Sequence, residues 1–327
     1  GSELCRQICL HDPQSIILIA NSENNLFEIE NELRESFVSL QIGAHLCDVK
    51  DRYKLQEIFS CNRPDVVFHA AAHKHVPMME RHPEEAIKNN ILGTKNIAEL
   101  SDKYGVKTFI LISTDKAVNP SSVMGASKRI AEMIIQDINK TSNTRFAAVR
   151  FGNVLGSRGS VVPIFKKQIE KGGPVTITHI DMKRYFMTIP EAVELVIQAG
   201  AIAEGGEIFV LDMGEPVKII DLANDLIKLY GYEPGKDIQI EFTGIRPGEK
   251  LYEELFSTYE QMAATKYDRI FISHRKEDYY FNNIRNSIDR LFSQNIFINK
   301  SNSVQLITQI LPEFRTEQNI TISKPVK

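Results

Sequence analysis

The chain has 327 residues, a formal net charge of −3, 43% hydrophobic residues and 25% charged residues. That length holds one large α/β domain and a smaller lobe, and the composition is that of an ordinary globular protein. The charge gives no case for nucleic acid or anionic membranes as partners, and no run approaches the roughly 20 apolar residues of a membrane span. Cys5, Cys9, Cys47 and Cys61 show neither zinc spacing nor a disulfide framework, so they read as reduced thiols in a cytoplasmic protein.

A helix opens the chain at Gly1-Ser2-Glu3-Leu4, with Cys5, Ile8 and Cys9 on its apolar face. Ser15 to Ala20 reads as a buried strand, Asn24 to Phe37 as an amphipathic helix, and Gly43 to Cys47 as a strand ending at Asp48. Lys54 to Ser60 is predicted helical, Asp65 to Ala70 a buried strand, and Pro83 to Tyr104 one long helix. Thr108 to Ile112 is the next strand, a helix starts near Ser122, and Arg145 to Arg150 is again a strand. Strands alternating with helices of this length predict a doubly wound parallel sheet. Beyond it, helices are predicted at Ile164 to Lys171, Pro190 to Ala203 and Ile219 to Tyr230, and strands at Val175 to Thr178, Ile208 to Leu211 and Ile238 to Phe242. After Ser257 the motifs stop. Helices are predicted at Ile284 to Phe292 and Val304 to Leu311, and a tail from Thr316 to Lys327.

The chemistry concentrates between Ile110 and Ile130. Ligands of open α/β sheets sit outside the carboxyl ends of the strands, which is where Ser113-Thr114-Asp115-Lys116 falls. Met124 and Lys128, four residues apart, share one face of the following helix. A hydroxyl, a carboxylate and two amines at one strand end make an acid–base site. Ala70-Ala71-Ala72 leaves a backbone open to close approach. His73, Lys74 and His75 follow it without an accompanying carboxylate or cysteine, so no metal site is expected. Glu23 is the one carboxylate after the first predicted strand, where an acidic group usually meets an adenosine ribose. Arg184 and Arg246 stand in mixed polar and glycine settings suited to a pyrophosphate, though either could be a surface arginine.

Thr114-Asp115-Lys116 followed by Met124-Gly125-Ala126-Ser127-Lys128 resembles the active-site region of extended short-chain dehydrogenases/reductases, in which a Ser or Thr faces a helix bearing Tyr-x-x-x-Lys. With Met at the Tyr position, the stretch is similar to the UDP-N-acetylglucosamine 4,6-dehydratases of polysaccharide biosynthesis and protein glycosylation. The resemblance runs from Gly1 to about Phe256. It implies a Rossmann-like domain over residues 1–150, a smaller C-terminal α/β substrate lobe over 151–256 interleaved with it, and C-terminal helices and a tail over 257–327. Gly1-Ser2-Glu3-Leu4 matches the end of the family's glycine turn, so the expectation is a parent protein with its first strand and first glycines upstream. Long-form members also carry membrane-spanning segments upstream.

The resemblance further implies NAD as cofactor, met by Gly1, Glu23, Asp48, Val49, Ala70, Ala71, Ala72, Asn90 and Lys128, and UDP-N-acetylglucosamine as substrate. His73, Lys74, Asn153, Val162, Pro163, Thr178, Arg184, Arg246 and Glu249 would contact that substrate. In the catalytic set Asp115 is the acid at C6, Lys116 the base at C5, Thr114 the partner of the 4-hydroxyl, and Lys128 a cation beside the nicotinamide ribose. Met124 leaves the phenol's role vacant, since a thioether has no proton to exchange. As a base near pH 7, Lys116 is expected to have a depressed pKa. A homo-oligomer formed through helices flanking the sheet is also implied. Two rivals stay open: a nucleotide-sugar 4-epimerase and a non-catalytic cofactor-binding relative.

Overall fold

The computed structural model describes residues 1–257, 259–275, 284, 287–288 and 298–314. In its first part α1 (Ser2–Cys9), β1 (Ser15–Ala20), α2 (Glu23–Ser36) and β2 (Gln41–Leu46) follow in turn. Leu26, Ile29 and Leu33 recur at helical spacing on α2 and bury against Ile16 and Leu18 of β1. β1 and β2 pair in parallel, from Ser15 opposite Gln41 to Ala20 opposite Leu46. They form a two-stranded sheet of their own, so the parallel strands fall into two pieces rather than one continuous sheet.

The Asp51 carboxylate accepts the Lys54 N–H at 3.0 Å and starts α3 (Arg52–Asn62), which leads to β3 (Val66–His69). A short helix that the sequence reading omits, α4 (Val76–Arg81), comes next. The predicted helix from Pro83 to Tyr104 is three segments in succession: α5 (Pro83–Glu85), a π-helix (Ala86–Leu92) and α6 (Gly93–Lys103). β4 (Thr108–Ile112), α7 (Val123–Asn139) and β5 (Arg145–Arg150) complete the first half.

In the second half come β6 (Asn153–Val154), α8 (Val161–Glu170), β7 (Val175–Ile177), β8 (Lys183–Arg184), β9 (Phe186–Met187) and α9 (Ile189–Ile202). They are followed by β10 (Ile208–Leu211), β11 (Val217–Lys218), α10 (Ile219–Leu229) and β12 (Ile240–Phe242). The last described elements are β13 (Glu260–Ala264), β14 (Ile270–Arg275) and α11 (Lys300–Ile310). α8 begins three residues before the predicted Ile164, because Pro163 is tolerated in a first turn that needs no amide donor.

The main sheet has six strands in the order β13-β14-β10-β5-β4-β3. β3, β4, β5 and β10 are parallel, and β14 and β13 add an antiparallel edge. Alternate side chains face opposite layers. Phe109, Leu111, Phe146 and Ala148 meet α6 and α7 on one face; Ile110, Ala147 and Val149 meet Leu195, Val196 and Ala199 of α9 on the other. The smaller lobe is built on β7 paired with β12, with Phe165, Ile169, Leu226 and Ile227 from α8 and α10 closing its core. Residue 150 therefore does not bound the sheet: β10, β13 and β14 all join it from beyond that position. The expectation of only helices and tail after 257 is corrected by the β13–β14 hairpin, in which β14 pairs with β10 and β13 forms the sheet's edge.

α11 packs on the α7 side, with Leu306, Ile307, Leu311 and Phe314 entering that core beside Ile284 and Ile288. Of the predicted helix from Ile284 to Phe292 only Ile284, Ser287 and Ile288 are described, all helical. The rest of it and the predicted tail from Thr316 to Lys327 lie outside the described residues.

A buried ionic network fastens α7 to the sheet. Arg150, fully buried, donates to both carboxylate oxygens of Glu132 at 2.8 and 2.7 Å and to Glu260 of β13 at 2.9 Å. Arg129 and the Ser113 hydroxyl also donate to Glu132. Burial raises the Glu132 pKa, but Arg150, Arg129 and Ser113 outweigh it and bring it down to about 2. Removing one member strands its partners, so Glu132→Ala should lose about 3–5 kcal/mol in urea denaturation near neutral pH. Because the native carboxyl titrates below its unfolded value, this stabilisation is present above the ordinary glutamate range and fades as pH falls toward 2. A loss below about 1 kcal/mol would show the network to be energetically idle.

Candidate active site

At the end of β4 the backbone makes one 3-10 turn, Asp115–Ala117, capped by Thr114. The Thr114 hydroxyl donates to Asp115 Oδ1 at 2.8 Å, and Lys116 Nζ donates to that same oxygen at 2.9 Å and to Asn153 Oδ1 at 3.3 Å. Asp115 is wholly buried, and its Oδ2 has no hydrogen-bond partner. Burial pulls the Lys116 ammonium toward neutrality. The carboxylates of Asp115 and Glu253 and the bond to Asp115 outweigh burial and the opposing Arg184, so its pKa is raised. The expected depressed lysine is thus corrected: two carboxylates hold Lys116 charged in the resting site.

α7 is set against this turn almost without clearance. Ser122 caps it by accepting the Gly125 N–H at 3.0 Å, and Glu80 accepts the Val123 N–H at 2.7 Å. A Cβ on Gly125 would stand 2.2 Å from the Lys116 carbonyl oxygen. Met124 and Lys128 project from the same helix, 3% and 4% exposed. Lys128 has no hydrogen bond to any described residue, and burial lowers its pKa to about 8 against a weaker pull from Glu132.

Asn90, in the π-helix, clamps the turn after β3 to α7. Its Oδ1 accepts the His73 N–H at 2.8 Å, while its Nδ2 donates to the His73 carbonyl at 3.0 Å and to Ser127 Oγ at 2.9 Å. A widened helical turn at such a position is characteristic of functional sites. The Thr94 hydroxyl donates to the Asn90 carbonyl at 2.7 Å, so it can only accept from His69 Nε2, 3.0 Å away. This fixes the Nε2–H tautomer of a ring that burial, and then Lys128, keep neutral, with a pKa of about 3.

A cleft of about 100 Å³ beside the turn is lined by Lys116, Arg184, Glu249 and Glu253, with Ser121 and Ser122 of the α7 entry. Here Arg184 differs from a free phosphate ligand. It is 8% exposed, and it donates to the carbonyls of Lys183 at 2.7 Å, Leu251 at 3.1 Å and Lys250 at 2.7 Å. Its guanidinium braces the 250–251 segment. Arg246 is exposed, 3.9 Å from Glu249.

The remaining expected contacts are spread out. Ala70 and Ala71 are exposed at the end of β3. Val49 is buried against Gly93, where an added Cβ would approach it to 2.5 Å, so it belongs to the core rather than to a surface open to ligand. Asp48 accepts the Lys50 N–H at 2.9 Å, and Glu23 and Gly1 are exposed. Lys74 Nζ reaches Ser157 Oγ at 3.2 Å, tying the glycine-rich loop to the turn after β3. Val162 and Pro163 are half-buried in the first turn of α8, and Thr178 is engaged with the Met182 sulfur. The structure thus gathers Thr114, Asp115, Lys116, Asn153, Arg184 and Glu249, while Thr178 and Arg246 do not line the cleft. Glu80 and Glu253 escape sequence reading, since neither stands in a pattern distinct from surface glutamates.

The family model described as polysaccharide biosynthesis protein matches residues 1–275. The chain belongs to this family. It is 61% identical over 273 residues to the probable polysaccharide biosynthesis protein EpsC of Bacillus subtilis, covering 83% of this chain and 46% of that protein. The chain therefore spans about half the length of that relative. A UDP-N-acetylglucosamine 4,6-dehydratase (inverting) of Campylobacter jejuni is 35% identical over 274 residues, 83% of this chain and 75% of the relative. Among solved structures, Pen from Bacillus thuringiensis superposes with a TM-score of 0.76 at 34% identity, over 84% of this chain and 85% of that one. The fold is the Rossmann-like one of the extended short-chain dehydrogenases/reductases, and the family's relatives include nucleotide-sugar-modifying enzymes. No helix among the described residues is long and apolar enough to cross a membrane.

Two outcomes follow for the family's Met-x-x-x-Lys helix. Gly125→Ala must push the Lys116 carbonyl away, and a displacement of that order should cost about 100-fold in turnover with the fold retained by circular dichroism. Unchanged turnover would show that the contact does not set the site. Lys128→Met removes a buried, unpartnered ammonium and should raise stability at pH 7 by on the order of 3 kcal/mol. Since the native lysine titrates near 8 and the unfolded one near 10.5, the gain should shrink as pH rises between them. Denaturation midpoints independent of pH in this comparison would refute it.

Proposed function

We propose that the chain carries out NAD-dependent 4,6-dehydration of UDP-N-acetylglucosamine, yielding a 4-keto-6-deoxy sugar nucleotide for a bacterial polysaccharide or glycoprotein glycan. The observation that carries this reading is the single hydrogen-bonded unit of Thr114, Asp115 and Lys116, facing Met124 where a phenol would otherwise stand. An epimerase has no use for an acid–base pair at C5 and C6, and a binding module has no use for the pair's buried charges.

The residues present fit NAD. Ala70 and Ala71 leave a bare backbone at the end of β3, and the buried Lys128 ammonium lacks a partner that a ribose hydroxyl would supply. When bound, NAD would supply the acceptor and donor of hydride for the sugar carbons. The Thr114 oxygen is placed to accept a hydrogen bond from the sugar's 4-hydroxyl, because its own hydrogen is committed to Asp115. Lys116 and Asp115 share a hydrogen bond of 2.9 Å. Moving the proton along it turns an ammonium and a carboxylate into an amine and a carboxylic acid. The amine can then remove the C5 proton while the acid protonates the departing C6 hydroxyl; the ammonium so formed gives a proton back to C5, and the 4-hydroxyl's proton, relayed through Thr114 to Asp115, restores the pair. Asn153, bonded to Lys116, keeps the amine directed as its charge changes.

Incubating the chain with NAD and UDP-N-acetylglucosamine in deuterated water should produce a nucleotide sugar that has lost one water and gained one deuterium at carbon, read by mass spectrometry. Bound NAD with an unchanged or merely epimerised sugar would overturn the proposal. Thr114→Val should lower turnover by about 100-fold or more; near-normal activity would remove Thr114 from the mechanism.

A further inference from the structure

Glu253 has no part in the steps above, yet it sits against their central residue. It is 8% exposed, and its Oε1 stands 3.7 Å from Lys116 Nζ and 3.8 Å from Arg184 Nη2. Its Oε2 is buried without a hydrogen-bond partner, and the residue lines the cleft with Lys116, Ser121 and Ser122. Most buried carboxylate oxygens find a donor, as both of Glu132 do. Glu253 keeps one oxygen without a donor in a residue that lines the cleft beside Lys116.

The surrounding charges leave it a defined task. Lys116 is faced by Asp115 from its own turn, by Asn153 from β6, by Arg184 from β8 and by Glu253 from the segment that Arg184 braces. Of the other charged groups lining the cleft, Lys250 donates to the Val118 carbonyl at 3.0 Å, and Glu249 lies 3.9 Å from Arg246 through Oε1 with its own Oε2 unpartnered, but neither is paired with Lys116. Arg184 is largely spent on its three carbonyls. At close range, then, the ammonium is held between two carboxylates.

We infer that Glu253 couples substrate occupancy to the charge of Lys116: Oε1 holds the ammonium opposite Asp115, and Oε2 accepts a hydrogen bond from a hydroxyl or amide N–H of the bound sugar. This rests on the dehydratase reading for the identity of the sugar. A donor on Oε2 draws negative charge away from Oε1 and loosens its pull on the lysine. The Nζ–H bond facing Asp115 then breaks more readily and an O–H bond forms on Asp115, which creates the amine and the acid in one transfer. No electron changes hands. Without ligand, both carboxylates keep the lysine charged and inert.

The test needs no turnover. Lys116 in the chain is labelled with trace acetic anhydride across pH and quantified by peptide mass spectrometry, in wild type, Glu253→Gln and Glu253→Asp. The neutral isostere should move the labelling midpoint down by about one pH unit, giving about tenfold more labelled Lys116 at a given pH below it. Asp, which keeps the charge, should restore the midpoint toward wild type. A midpoint unmoved in Glu253→Gln overturns the charge pairing. Calorimetry supplies the second arm: Glu253→Gln should weaken UDP-N-acetylglucosamine by about tenfold and leave UDP unchanged. Equal losses for both ligands would mean that Glu253 only supports the loop. Failure of the wild-type chain to bind UDP-N-acetylglucosamine would overturn the functional reading and the sugar contact together, while the labelling midpoint decides the pairing by itself.

Discussion

The site depends on one steric fact: the first turn of α7 rests on the Lys116 carbonyl with no space for a methyl group between them. From that contact the rest follows. The turn after β4 cannot shift along the strand without moving the helix, so Thr114, Asp115 and Lys116 are held in register with Met124 and Lys128. Glu80 and Ser122 satisfy the amides at the helix's start, which lets the two backbones meet without leaving donors bare. Asn90 closes the arrangement from the other side by tying the turn after β3 to Ser127. A loop, a strand end and a helix thus behave as one body, which is what a reaction in several proton steps requires of its scaffold.

Buried charge is treated in two different ways within a few residues of each other. Behind the strand end, Glu132 is met by Arg150, Arg129 and Ser113, and each carboxylate oxygen has a donor. In front of it, Asp115 Oδ2, Glu249 Oε2 and Glu253 Oε2 are buried and bare. The first arrangement lowers the energy of the empty protein. The second raises it, and a ligand with hydroxyls and a ribose is the natural means of recovering the difference. Stability and activity therefore pull in opposite directions across the thickness of a single strand.

Much of this could be read from residue order. The apolar run at Thr108 to Ile112, the polar residues just past it and the four-residue spacing from Met124 to Lys128 point to this region from residue order alone. The parallel strands and the helices of the smaller lobe were legible to within a few residues, because their apolar periodicity is strong. What escaped was decided by tertiary contacts. Val49 looks like any residue at a strand end until Gly93 is found packed on it. Arg184 is spent on three carbonyls that come from 66 and 67 residues away in sequence and from its own neighbour. A base's role at C5 implies a Lys116 that is partly neutral near pH 7, but Asp115 and a glutamate more than 130 residues distant raise its pKa instead. The π-helix at Asn90 and the hairpin strands β13 and β14 carry no periodic signal of their own.

The hairpin of β13 and β14 has a practical side. The recognisable motifs end near Phe256, and anyone trimming the gene to its catalytic part would cut there. Such a cut would remove Glu260, one of the two carboxylates that neutralise Arg150, together with β14, which pairs with β10, and β13 at the sheet's edge. The guanidinium would be left in the interior with a single counter-ion, and β10 would become an unpaired edge inviting association with another copy. In this chain the strands that complete the sheet lie past the last catalytic motif yet within the 275 residues that match the family, and a poorly behaved fragment ending at that motif would say nothing about the chemistry it contains.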